Sequence, residues 1–78
     1  MFTFEVFTLD RETRCHNVEL YCSKESYSQY NIVLADGVRK AVGLSIQIPN
    51  TLIELNIWDD ECEEWVKEIV FENGIKID

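Results

Sequence analysis

Apolar and polar residues alternate with a period of two along much of the N-terminal half of the chain. Phe2, Phe4 and Val6 alternate with Thr3 and Glu5, the pattern of a strand with one buried face. The polar run Asp10-Arg11-Glu12-Thr13 reads as a turn, after which His16, Val18, Leu20 and Cys22 alternate with Asn17, Glu19 and Tyr21. These two segments predict an antiparallel hairpin. Ser23 to Gln29 is polar and reads as a loop. Tyr30, Ile32 and Leu34 predict a third strand over Tyr30–Ala35, and the following Asp36-Gly37 suits a type I′ turn. Val38, Val42, Leu44, Ile46 and Ile48 then share one face of a fourth strand. Lys40 is the only polar residue on that face, and it can reach water along its stem. A helix from about Tyr27 to Leu44 competes with this reading, and Gly37, Gly43 and the β-branched residues weigh against it.

Pro49-Asn50 marks a turn, and Ile53, Leu55 and Ile57 alternate with Glu54 and Asn56 as a fifth strand. Beyond it the period lengthens. Cys62, Trp65, Val66, Ile69 and Val70 fall at i, i+3, i+4, i+7 and i+8, the apolar stripe of a helix. Asp60 and Glu63 are spaced as a capping box, and Asn73-Gly74 supplies a C-terminal stop. Ile75–Ile77 adds a short last strand. A rival reading pairs Ile69–Phe71 with Ile75–Ile77 as a hairpin around Asn73-Gly74. The expected architecture is α+β: one acidic domain over residues 1–78, with a four- or five-stranded, mostly antiparallel sheet and one C-terminal helix packed on one face.

The 78 residues, 46% hydrophobic and 12% aromatic, suffice for one core and leave little wall for a deep pocket. No repeat, linker or low-complexity tract interrupts them. The net charge of −8 is unevenly spread: residues 1–49 hold six acids and five bases, residues 50–78 nine acids and two bases. Such a balance argues against direct nucleic-acid or membrane binding, because phosphate contacts depend on Lys and Arg. It favours a basic protein as partner. Cys15, Cys22 and Cys62 are odd in number, Glu5 interrupts the apolar start, and no apolar run approaches the roughly 20 residues of a membrane span. The expectation is a cytoplasmic protein with free thiols.

Candidate chemistry is sparse. His16 is the only histidine, and its neighbour Cys15 would point to the opposite face of a strand. Cys22 shares its face but would lie about 20 Å away, and a pairing with Cys62 stays open. No catalytic set is therefore expected. The cysteines and histidine lack zinc spacing, Asp59 to Glu64 lacks the alternation and central glycine of a calcium loop, and no glycine-rich phosphate loop is present. No metal or cofactor is expected.

The acidic C-terminal segment stands out. Trp58, Asp59, Asp60, Glu61, Glu64, Glu68 and Glu72 form the candidate partner-binding set. On a helix, Asp60, Glu64, Glu68 and Glu72 would form one exposed row of like charges, each i,i+4 pair costing about 0.2–0.5 kcal/mol. Glu63–Lys67 would be the one favourable pair, and a merely solvated acidic face is the plainer alternative. Trp65 falls on the apolar stripe as a core residue, whereas Trp58 turns towards the acids, either as a binding hot spot or as a cap on the second face of the sheet. Phe7, Tyr21 and Tyr27 lie off the main apolar faces. The expected function is that of a small acidic inhibitor or adaptor that blocks a basic site of another protein, such as a nucleic-acid-binding complex. In size and charge, though in no motif, the chain is similar to phage-encoded anti-defence proteins; a phage origin would make the expected compartment the host cytoplasm. The alternative is a structural or assembly subunit that self-associates, as a homodimer for example, through a sheet edge or exposed aromatics.

Overall fold

Five strands and one helix follow one another in the computed structural model, which describes residues 1–78. They are β1 (Phe2–Leu9), β2 (His16–Cys22), α1 (Tyr30–Gln47), β3 (Leu52–Asp59), β4 (Glu64–Glu72) and β5 (Ile75–Lys76). The strands form one sheet in the order β2-β1-β3-β4-β5, every neighbouring pair antiparallel. The α+β class and the antiparallel sheet agree with the expectation, as does the β1–β2 hairpin. The helix lies elsewhere: it occupies the centre of the chain, where two strands were expected, and the expected C-terminal helix is instead the strand β4 with its flanking turns.

Small residues explain the position of the helix. Val33, Gly37, Ala41 and Ser45 recur every four residues and are its buried positions. They form a narrow ridge that lets the helix lie close to the sheet. A Cβ at position 37 would come within 2.8 Å of Leu55 Cδ1, so Gly37 serves a close helix–sheet approach and no turn. Leu34, Val38, Val42 and Leu44 flank the ridge against the core. Gln29 is the N-cap without a side-chain cap bond, and Pro49 follows the C-cap Ile48.

Beneath α1, Phe4 and Val6 of β1, Ile53, Leu55 and Ile57 of β3, and Ile69 and Phe71 of β4 are all buried. A second, smaller cluster of Leu9, Leu52 and Val70 is buried on the opposite face of the sheet.

The β3–β4 register shifts between Ile57 and Trp58: Ile57 pairs with Lys67, but Trp58 pairs with Trp65. Val66 is the extra residue of this bulge, and it packs against the core under the helix. The bulge re-aims Trp65 onto the opposite face, where it meets Trp58 edge-on with ring centroids 5.0 Å apart. Trp65, expected in the core, is 46% exposed. The same bulge spaces Trp65, Val66, Ile69 and Val70 as though on a helix. At Asn73 and Gly74, φ values of 52° and 82° mark the two-residue turn between β4 and β5, as in the rival hairpin reading.

Candidate functional site

The face of the sheet turned away from α1 carries the polar chemistry of the molecule. Strand alternation sends Thr3, Glu5 and Phe7 of β1 to that face, together with Glu54, Asn56 and Trp58 of β3. Across the sheet, Cys22, Glu5, Asn56 and Glu68 are aligned in one row, and Glu19, Phe7, Glu54 and Val70 in the next. None of the strand residues contributing to these rows is basic.

His16 lies over the centre of this face. Its ring stacks on Phe7, centroids 4.1 Å apart and planes within 7°. Its Nε2 is 2.6 Å from Glu54 Oε1 and 3.3 Å from Asn56 Nδ2. An imidazole N–H donated to Glu54 cannot also accept a hydrogen bond from the Asn56 amide. Asn56 is only 2% exposed and its Oδ1 has no partner. Turning the amide over would satisfy Oδ1 and orphan Nδ2, so this central residue holds an unmatched polar atom in either orientation.

The carboxylates around it are mostly uncompensated. Glu54 pairs with His16, and Glu72 with Arg11, whereas Glu5, Glu19 and Glu68 take part in no ion pair. Burial, and then the nearby Glu19, push the Glu5 carboxyl above the usual glutamate range, with His16 acting in the opposite direction. Burial and the charges of Glu5 and Glu19 likewise push the Cys22 thiol up. Glu5, Glu19 and Cys22 bring their ligand atoms within 4.8 Å of one another. Two carboxylates and a thiol held towards its neutral form are one donor short of a closed structural zinc site and lack the deprotonated thiolate that zinc prefers.

The expected partner-binding residues do not form one row. Trp58 faces Trp65 on the polar face, and Glu68 joins the row of Asn56 and Glu5. Asp59, Asp60, Glu61 and Glu64 surround the β3–β4 turn, where Asp59 Oδ1 accepts the Glu61 backbone N–H at 3.0 Å and Glu64 pairs with Asp59 across the strands. Glu61 also reaches the N-terminal ammonium at 4.0 Å. Glu72 lies at the other end of β4, about 26 Å from Glu64 at the usual strand rise. The i,i+4 row of Asp60, Glu64, Glu68 and Glu72 is therefore overturned, because the segment is extended. The expected Glu63–Lys67 contact is absent from the ion pairs as well.

Comparison with known proteins finds no matching family model, curated protein or solved structure.

The sequence reading did not gather Glu5, His16, Glu19 and Glu54 into the candidate set. The signal that could have found them was the second face of each strand. Glu5 and Phe7, and Glu54 and Asn56, fall opposite the strongest apolar positions, and pairing β1 directly with β3 brings them together. His16, which alternation places with Val18 and Leu20, shares this face with Glu19 only because the β1–β2 register shifts between Phe7 and Leu9. Cys15, Cys22 and Cys62 are free and exposed. His16 Nε2 lies within hydrogen-bonding distance of Glu54 and Asn56 but of no thiol or hydroxyl. No helix is long and apolar enough to cross a membrane.

Proposed function

We propose that this chain is a protein-binding domain that docks the helix-free face of its sheet onto a basic segment of a partner protein. The observation carrying this reading is the set of uncompensated carboxylates Glu5, Glu19 and Glu68 on a face that also presents the Trp58–Trp65 pair. Like charges gathered without counter-ions raise the energy of the free protein, and Lys or Arg side chains of a partner would relieve it. A partly exposed tryptophan pair supplies the apolar anchor that hot spots commonly contain. Where the bound segment belongs to a nucleic-acid-binding site, occupying it would inhibit that site. His16 has no nucleophile within hydrogen-bonding distance, which favours binding over nucleophilic catalysis as the reading.

The test is capture of partners with the wild-type domain and with the triple variant Glu5→Gln/Glu19→Gln/Glu68→Gln, followed by binding kinetics on the captured protein at two salt concentrations. Neutralising the three charges is expected to weaken binding at least about tenfold, slow association and flatten the salt dependence. Unchanged kinetics in a folded variant would move the interface elsewhere.

Self-association has one specific observation in its favour: β2 is an edge strand of seven residues whose outer side pairs with nothing. Two register shifts in its pairing with β1 distort that edge and make it a poorer template than a regular strand. Sedimentation equilibrium distinguishes the two readings, since edge pairing would give a dimer that persists at high salt.

A further inference from the structure

We propose that a pocket between α1 and the β2 side of the sheet binds a small aromatic carboxylate. It lies on the helix-covered side, away from the docking face, and its argument does not depend on the function proposed above. The short chain was expected to have little wall for such a site. The crossing of α1 over the sheet, with the Ser23–Gln29 connection beside it, nevertheless leaves an open pocket of about 310 Å³. That volume is at the lower end of the range for small-molecule sites, roughly 300–1,000 Å³.

Its lining has an aromatic side and a cationic side. Tyr21 and Tyr27 line it together with Phe4, on which Tyr21 stacks at a centroid distance of 5.5 Å. From the helix come Asp36, Arg39, Lys40 and Gly43. Arg39 is paired with Asp36, whereas Lys40 has no carboxylate partner and rests with Nζ 4.4 Å from the Tyr21 ring centroid. The lining therefore carries one surplus positive charge in a chain whose net charge is −8. A planar ring bearing a single negative charge matches this combination: the ring against Tyr27 and the edge of Tyr21, whose faces Phe4 and Lys40 cover, and the carboxylate at the Lys40 ammonium. Burial, followed by hydrogen bonding to Asp36, pushes the Tyr27 hydroxyl above the usual tyrosine range, so it stays neutral with its one proton directed at Asp36, and recognition of the ligand's charge falls to Lys40.

Gly43 is the independent observation. Glycine in the middle of a helix is unfavourable, and at Gly37 the close approach of Leu55 explains it. At Gly43 no atom lies within 4 Å of where a Cβ would be, so packing does not require glycine there. The space a side chain would take belongs to the pocket.

The experiment is NMR titration of the whole chain with 1-naphthoate, and in parallel with its uncharged analogue 1-naphthamide. Saturable shifts centred on Tyr21, Tyr27 and Gly43 are expected, with the amide binding at least tenfold more weakly. Lys40→Gln should bring the acid down to the level of the amide. Gly43→Leu should abolish binding of both without lowering the melting temperature, and Gly43→Ala, the milder substitution, should weaken binding while raising it. Three results would overturn the proposal: no saturation at millimolar naphthoate, shifts centred on Trp58 and Trp65, or equal affinity in folded Gly43 variants.

Discussion

Leu55 occupies the space that a side chain on Gly37 would need, leaving a gap of only 2.8 Å between its Cδ1 and the position of the missing Cβ. Leu55 is itself fully buried in the central strand, so it has nowhere to retreat. Gly37→Ala sets a helix-propensity gain of about 1 kcal/mol against an overpacking cost of about 1–3 kcal/mol. The net effect expected in urea unfolding is destabilisation. Leu55→Val in the same chain should recover part of it, and a stabilised Gly37→Ala variant would show that the helix can lift away from the sheet.

Trp65 and Phe71 belong to the same strand but should respond very differently to truncation. Phe71 is 3% exposed beneath the helix, and Phe71→Ala should cost about 3–5 kcal/mol. Trp65→Ala removes a half-exposed ring and one aromatic contact worth about 0.5–1.5 kcal/mol beyond the burial it loses, and should cost less than Phe71→Ala. Thermal melting of the two variants checks the ranking, and equal losses would contradict the placement of Trp65 by the bulge.

Glu5 gives a pH dependence of definite sign. Its carboxyl is pushed up in the folded state by burial and by Glu19, so the folded protein holds that proton more tightly than the unfolded chain. The associated penalty is absent below the unfolded pKa, grows as pH rises through the folded one, and is fully present at neutral pH. Glu5→Gln should therefore raise the melting temperature at pH 7 and have less effect at mildly acidic pH. A larger gain in acid than at neutrality would reverse the assignment.

Asp10 works in the opposite direction. Its Oδ1 accepts the backbone N–H groups of Thr13, at 2.8 Å, and Glu12, at 2.9 Å, and these bonds hold its carboxyl below the usual aspartate range. Its contribution is present above the unfolded pKa and lost as pH falls through the folded one. Asp10→Ala should lower stability at neutral pH, and the gap from wild type should close on acid titration. The melting curves should converge below the ordinary aspartate pKa.

Where apolar residues recur at every second position, the strands were legible. Phe2–Leu9, His16–Cys22 and Leu52–Asp59 are strands in the structure, although β2 buries none of its residues and shifts register twice, and β3 is buried on both faces. The helix was harder to see, because its buried ridge is made of Gly37, Ala41 and Ser45, which contribute little to an apolar pattern, while larger residues flank it. Val38, Val42, Leu44, Ile46 and Ile48 thereby imitate a strand. The converse occurred at β4, where one extra residue at Val66 converted a period of two into apparent helical spacing. Asp36-Gly37 and Asn73-Gly74 have similar turn chemistry, yet one lies in the helix against Leu55 and the other turns the β4–β5 hairpin. Of the candidate site, Trp58, Glu54 and Glu68 share the acidic face, but Glu5 and Glu19 could be joined to them only once β1 was known to pair with β3.

That pairing also governs when the molecule can fold. β1 lies between β2 and β3, with Phe2 beside Asp59 and Leu9 beside Leu52, so the first strand made completes its pairing with a strand made after the helix. On the ribosome, the β1–β2 hairpin and α1 would emerge without the central strand that joins their buried faces. A two-stranded hairpin is at best marginal alone, and contacts across so many residues must overcome loop closure before they stabilise anything. The polypeptide would therefore leave the exit tunnel with Phe4, Val6 and Val33 still uncovered, and the cooperative core would close only after Leu52–Asp59 had followed them out.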